Sequence, residues 1–84
     1  MVIGLLQMNL RIPNSQSLKE KRHALLGLKT RLRQRFNVSV AEVGEPDLWQ
    51  TAVLGLCCVS NSAAHAAELL SEATRFIEAE ALGD

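Results

Sequence analysis

Apolar and polar residues along this chain switch between two periods, and the switches mark its elements. Over residues 1–12 they alternate. Val2, Leu6, Met8, Leu10 and Ile12 share one parity, and Ile3, Leu5, Gln7, Asn9 and Arg11 share the other. That is the period of a strand with one face in a core and the other face ending polar. Pro13, Asn14, Ser15 and Gln16 break the strand, and Ser17 with Glu20 three positions later gives the capping-box pattern that opens a helix. Leu18, Leu25, Leu28 and Leu32 then recur at helical spacing, which predicts a helix to about Arg35 with Lys21, Lys29 and Arg33 among the residues turned to solvent. Asn37 supplies a stop.

Residues 38–43 are rich in β-branched side chains, Gly44, Glu45, Pro46 and Asp47 carry turn chemistry, and residues 49–60 make a longer second arm. Together they predict a hairpin. In its second arm Leu54, Leu56 and Cys58 are assigned to the core because the bulkier aliphatic pair lies on their parity, although Val53 and Val59 on the other parity dissent. Ser60, Asn61 and Ser62 form a capping cluster before Ala66, Leu70, Ala73 and Ile77, whose spacing predicts a second helix ending near Leu82 and Gly83. The order is β, α, β, β, α. It points to an α+β, ferredoxin-like split β-α-β fold, with an antiparallel sheet and both helices on one face. Such a fold normally adds a fourth strand beside the first, and here the last strand is missing. The first strand therefore has a free, flat, apolar edge at Val2, Ile3, Leu5 and Leu6, and the expectation is a homodimer formed by pairing there. The competing expectation is that helix 2 or the tail folds over the edge.

With 84 residues the chain makes one domain, 1–84, because two halves could not each bury a core. Its apolar fraction of 48% with 21% charged residues is that of a folding chain rather than a disordered one. No run approaches the length of a membrane span, and no basic leader or cleavage site precedes the first strand. Cys57 and Cys58 are neighbours in a strand and point to opposite faces, which argues against a mutual disulfide and for a reducing cytoplasm. Net charge is zero, but residues 1–36 hold eight cations against one carboxylate and residues 37–84 hold one cation against eight carboxylates. Such polarity suits a phosphate-bearing or acidic partner, and equally suits one half neutralising the other or a neighbouring copy.

Three stretches, Ser17-Leu18-Lys19-Glu20-Lys21-Arg22, Phe36-Asn37-Val38-Ser39-Val40-Ala41-Glu42-Val43, and Asp47-Leu48-Trp49-Gln50 followed by Val59-Ser60-Asn61, resemble the signature segments of the YlxP-like family, small bacterial domains of unknown function. The resemblance runs across nearly all of residues 1–80. It implies a ferredoxin-like sheet with two helices, in agreement with the order read from periodicity. It also implies a gene neighbourhood of transcription, translation-initiation and ribosome-maturation factors, and through it a ribosomal RNA or ribosome-associated protein partner. Similar proteins carry a further basic and aromatic strand at the end, from which this chain departs.

Candidate chemistry is sparse. Lys19, Lys21, Arg22, Lys29, Arg31, Arg33 and Arg35 form a basic helix able to neutralise several phosphates, although helical geometry spreads them around the circumference and leaves a solvated or internally paired face as the alternative. Gln7, Asn9 and Arg11, with Trp49 and Thr51, offer polar and stacking groups on an open sheet face, but the chain lacks the two or three strand aromatics of an RNA-recognition domain. The helix starts at Ser17 and Ser60–Ser62 need only capping to explain them. His23 and His65 have no metal-ligand spacing, and neither cysteine has a feature that would activate it. No catalytic residue, metal, cofactor or small-molecule substrate is expected. The leading expectation is a non-enzymatic, dimeric RNA- or ribosome-associated binding module. Its alternative is a homo-oligomeric protein-protein interaction or regulatory module in which basic and acidic halves of different copies dock.

Overall fold

A computed structural model describes residues 1–80. It contains β1 (Val2–Arg11), α1 (Leu18–Arg35), β2 (Ser39–Glu42), β3 (Thr51–Ser60) and α2 (Ala63–Glu80). The order is the one expected from periodicity, and the three strands form an antiparallel sheet in the order β1-β3-β2. β1 and β3 are paired along their whole length, from Val2 opposite Ser60 to Arg11 opposite Thr51. The end expected for helix 2 at Leu82 and Gly83 lies outside the described residues.

Each helix starts where a hydroxyl can take an orphan amide. Ser17 Oγ accepts from Glu20 N at 3.2 Å while the Glu20 carboxylate accepts from Gln16 N, a capping box that reaches one residue further back than usual. Ser62 Oγ accepts from His65 N at 3.3 Å and opens α2 in the same way. Both helices pack on the even-numbered face of the sheet. The core joins Leu25, Leu28 and Leu32 of α1 and Ala66, Leu70, Ala73 and Ile77 of α2 to Val40, Ala52, Leu54, Leu56 and Cys58. Burial of side chains such as Leu28, Leu32 and Leu54 contributes about 1.5–3 kcal/mol each. At the far end of the helix pair, Phe36 meets Phe76 edge to face at 5.8 Å, and the Arg35 guanidinium lies 5.2 Å from the Phe76 ring centre.

Three expectations change. β3 begins at Thr51, so Leu48, Trp49 and Gln50 belong to the loop before it. Leu18 is only half-buried. Lys21, expected on the outer face of α1, is buried at 1% exposure and stands with Leu25, Leu28 and Leu32 on the inward stripe. The physical reason is position: 21, 25, 28 and 32 repeat the spacing of 66, 70, 73 and 77, so a side chain at 21 must enter the core whatever its chemistry.

Candidate functional site

The cations of α1 do not form one free surface. Lys21 Nζ donates to the carbonyls of Glu45 at 3.2 Å and Leu48 at 2.6 Å, approaches that of Pro46 at 3.4 Å, and stands 2.8 Å from Glu42 Oε2. That oxygen is buried, and its approach to the ammonium is ionic in distance without the alignment of a hydrogen bond. A nucleic-acid role for Lys21 is thereby ruled out, since its donors are used inside the fold. Arg31 pairs with Glu80 of α2, Arg33 donates to the Val40 carbonyl at 3.0 Å, and Arg35 covers Phe76. Lys19, Arg22 and Lys29 form no ion pair among the described residues, and of these Lys19 and Arg22 are exposed while Lys29 is half-buried. Four of the seven cations of the expected basic face are therefore engaged in holding α1 to β2, α2 and the hairpin loop.

The loop before β3 is pinned on both sides of Trp49. Lys21 holds the Leu48 carbonyl, while the Gln50 side chain donates to the carbonyls of Pro13 and Ser15 and the Gln50 carbonyl accepts from Ile12 N at 2.7 Å. Leu48 and Trp49 nonetheless remain about half exposed. Trp49 stands outside the strand, and β1, β2 and β3 contribute no aromatic side chain to the sheet.

The bond from Ile12 N to the Gln50 carbonyl also fixes which backbone groups of β1 are free. Pairing to β3 is regular, so the even residues of β1 point their N–H and C=O into the ladder, and Ile3, Leu5, Gln7, Asn9 and Arg11 point theirs outward. Among the described residues nothing pairs with that outer edge. α2 packs against the even-numbered face of β1, and the tail expected as another cover lies outside the described residues. Val2 and Leu6, named with Ile3 and Leu5 as edge residues, turn their side chains to the core and are half-buried.

The open face divides in two. Gln7, Asn9 and Arg11 stand exposed at one end with Thr51, as expected. At the other end Ile3 is 58%, Leu5 79% and Val59 63% exposed, with Ile3 directly opposite Val59 and Leu5 opposite Cys57. Between the ends runs an apolar groove of about 570 Å3 lined by Leu5, Gln7, Ala41, Val43, Gly55 and Cys57. Gly55 forms its floor, where a Cβ would stand 3.1 Å from Val43 Cγ1. Sequence reasoning missed the groove, although β1 is apolar on both parities from Val2 to Leu6.

Among the described residues no three His, Cys, Asp or Glu side chains are grouped to hold a metal, and no helix is long and apolar enough to cross a membrane. Cys57 and Cys58 are free thiols on opposite faces of β3, the first half-buried and the second buried. The chain is 36% identical over 77 residues to an uncharacterized protein, YlxP, of Bacillus subtilis (strain 168), an alignment that covers 92% of this chain and 84% of that protein. Residues 3–83 match the profile of a family described as proteins of unknown function, DUF503. The match spans both helices, the whole hairpin and nearly all of β1, and the chain belongs to this family.

Proposed function

We propose that the chain is a non-enzymatic association module of the cytoplasm that pairs with a second copy of itself through the outer edge of β1. The observation that carries this reading is the coincidence, at Ile3 and Leu5, of outward backbone groups with exposed apolar side chains. An edge of ten residues with no proline and no charge before Arg11 lacks the devices by which strands are kept from pairing. A second copy offers the same edge in antiparallel orientation, which a twofold axis makes self-complementary. Free thiols on adjacent strand positions favour a reducing compartment. Light scattering tests it with Gln7→Pro, which removes an outward N–H from mid-strand and leaves the ladder to β3 intact. The wild type is expected at two copies or more, and the variant at half that mass with unchanged circular dichroism. A wild type at the mass of one chain would end the proposal.

The RNA reading keeps a narrower basis in Lys19, Arg22 and Lys29, which form no ion pair among the described residues. Three phosphate contacts give a log-log salt slope of roughly −2 to −3. Filter binding of structured RNA at low and moderate salt, with all three residues changed to Glu, tests it. Affinity that is absent or unaltered by the change removes nucleic acid from consideration.

A further inference from the structure

The chain between β2 and β3 gathers its oxygens around one point. Glu42 Oε2 at 2.8 Å and the carbonyls of Leu48 at 2.6 Å, Glu45 at 3.2 Å and Pro46 at 3.4 Å surround Lys21 Nζ. An ammonium group has three protons, so four oxygens are more than its hydrogen bonds can use at once. What all four share is negative charge turned inward. Carbonyl dipoles and a carboxylate converging on one point repel each other, and with the Lys21 side chain 1% exposed there is little water to screen them. Only a cation at the centre offsets that repulsion.

The loop depends on this centre for its shape. Its main-chain ties to the sheet lie at its two ends, where Val43 N donates to the Val53 carbonyl at 2.8 Å and the Gln50 carbonyl accepts from Ile12 N at 2.7 Å. Between them the chain turns at Pro46 and Asp47, and the Lys21 ammonium is what draws the three carbonyls together. Leu48 and Trp49 project from the backbone so held, about half exposed.

Size and charge define the ion that the oxygens accept. Magnesium takes oxygens at about 2.0–2.1 Å and calcium at about 2.3–2.6 Å, whereas three of these four stand at 2.8 Å or farther. One carboxylate balances one positive charge. Carbonyl oxygens replace the hydration shell of a potassium ion in the same manner, and ammonium is the group already present. We infer that Glu42, Glu45, Pro46 and Leu48 form a site for a monovalent cation of the ammonium or potassium class, which Lys21 fills from within the chain. The wild type is therefore indifferent to the monovalent cations around it. A chain cut short at position 21 takes one up from solution and with it recovers the loop.

Urea titrations of the wild type, of Lys21→Ala and of Lys21→Ala with Glu42→Gln, in ammonium, potassium and choline chloride at equal ionic strength, test this. Trp49 is the single tryptophan of the chain, so its emission reads the loop while circular dichroism reads the fold. The wild type sets the general effect of each salt. Beyond that effect, Lys21→Ala is expected to gain a higher midpoint in ammonium or potassium than in choline, rising with concentration as binding to the folded state requires. Its Trp49 emission, altered in choline, is expected to return to that of the wild type. The double variant, without the carboxylate, is expected to lose most of the gain. Equal midpoints for Lys21→Ala in the three salts overturn the site, as does a gain that the double variant keeps in full. Wild-type emission from Lys21→Ala in choline also overturns it, because the loop then holds its shape without a cation. If Lys21→Ala is unfolded in choline, refolding in ammonium or potassium upholds the site, and a chain unfolded in all three salts overturns it.

Discussion

Replacing Lys21 by methionine keeps most of the buried stem and removes the ammonium, so the Glu42 carboxylate loses its ion partner and the Glu45 and Leu48 carbonyls lose a donor. Breaking one side of a buried ion pair costs about 3–5 kcal/mol, a large share of the roughly 5–15 kcal/mol that stabilises an ordinary domain. Urea titration of Lys21→Met should show a loss of that size. The double variant Lys21→Met with Glu42→Leu should recover much of it, because no unpaired charge then remains. Gly44 is tight for a different reason. A Cβ there would stand 2.6 Å from Val53 Cγ2 and 2.8 Å from Val53 Cβ, and the latter cannot swing away because it is fixed to β3. Gly44→Ala is expected to lower stability by about 1–3 kcal/mol as an overpacked site, read as a lower midpoint in the same titration.

Among the elements, α1 carries the sharpest contrast between its two sides. Ser17→Ala removes the acceptor for the Glu20 amide and should destabilise the fold by about 1 kcal/mol. Lys19→Ala and Arg22→Ala, which form no ion pair among the described residues, should each change stability by less than about 0.5 kcal/mol. Thermal melts of these three variants distinguish an anchored helix start from a solvated flank. Periodicity made most of this architecture legible: the alternation of β1, the stripe of α2 and the capping residue of α1 each follow from side-chain spacing, and the structure keeps them. It failed where residue type was allowed to overrule spacing. Lys21 sits four residues before Leu25 on the inward repeat, yet its charge suggested solvent, and its ligands are main-chain carbonyls of a distant loop that no side-chain pattern advertises. Likewise Gln7, Asn9 and Arg11 announced a polar open face while Ile3 and Leu5, on the same parity, made its other end apolar. Only the strand order reveals that Val59 and Cys57 lie across from them.

At the scale of the whole molecule the segregation of charge along the sequence becomes partial neutralisation in space. Glu42, from the acidic half, closes on Lys21, and Glu80 closes on Arg31. The edge proposed for association carries no charged residue except Arg11, so its contacts are hydrophobic and main-chain in kind. The mass in solution should therefore stay constant between low and high salt, whereas docking of basic helices onto acidic ones would weaken as the Debye length falls from about 10 Å at 0.1 M to 3 Å at 1 M. Sedimentation at the two ionic strengths separates these cases. The register of β1 has a consequence for how the chain is made. Val2 is opposite Ser60 and Arg11 opposite Thr51, so β1 is made well before the strand that it pairs with. At about 5–20 residues per second, on the order of seconds separate its emergence from that of β3. Throughout that interval a bare apolar strand hangs from the ribosome among sister chains on the same message. Nascent chains arrested before residue 51 should accordingly bind a general chaperone, and release it once β3 has emerged and closed the ladder.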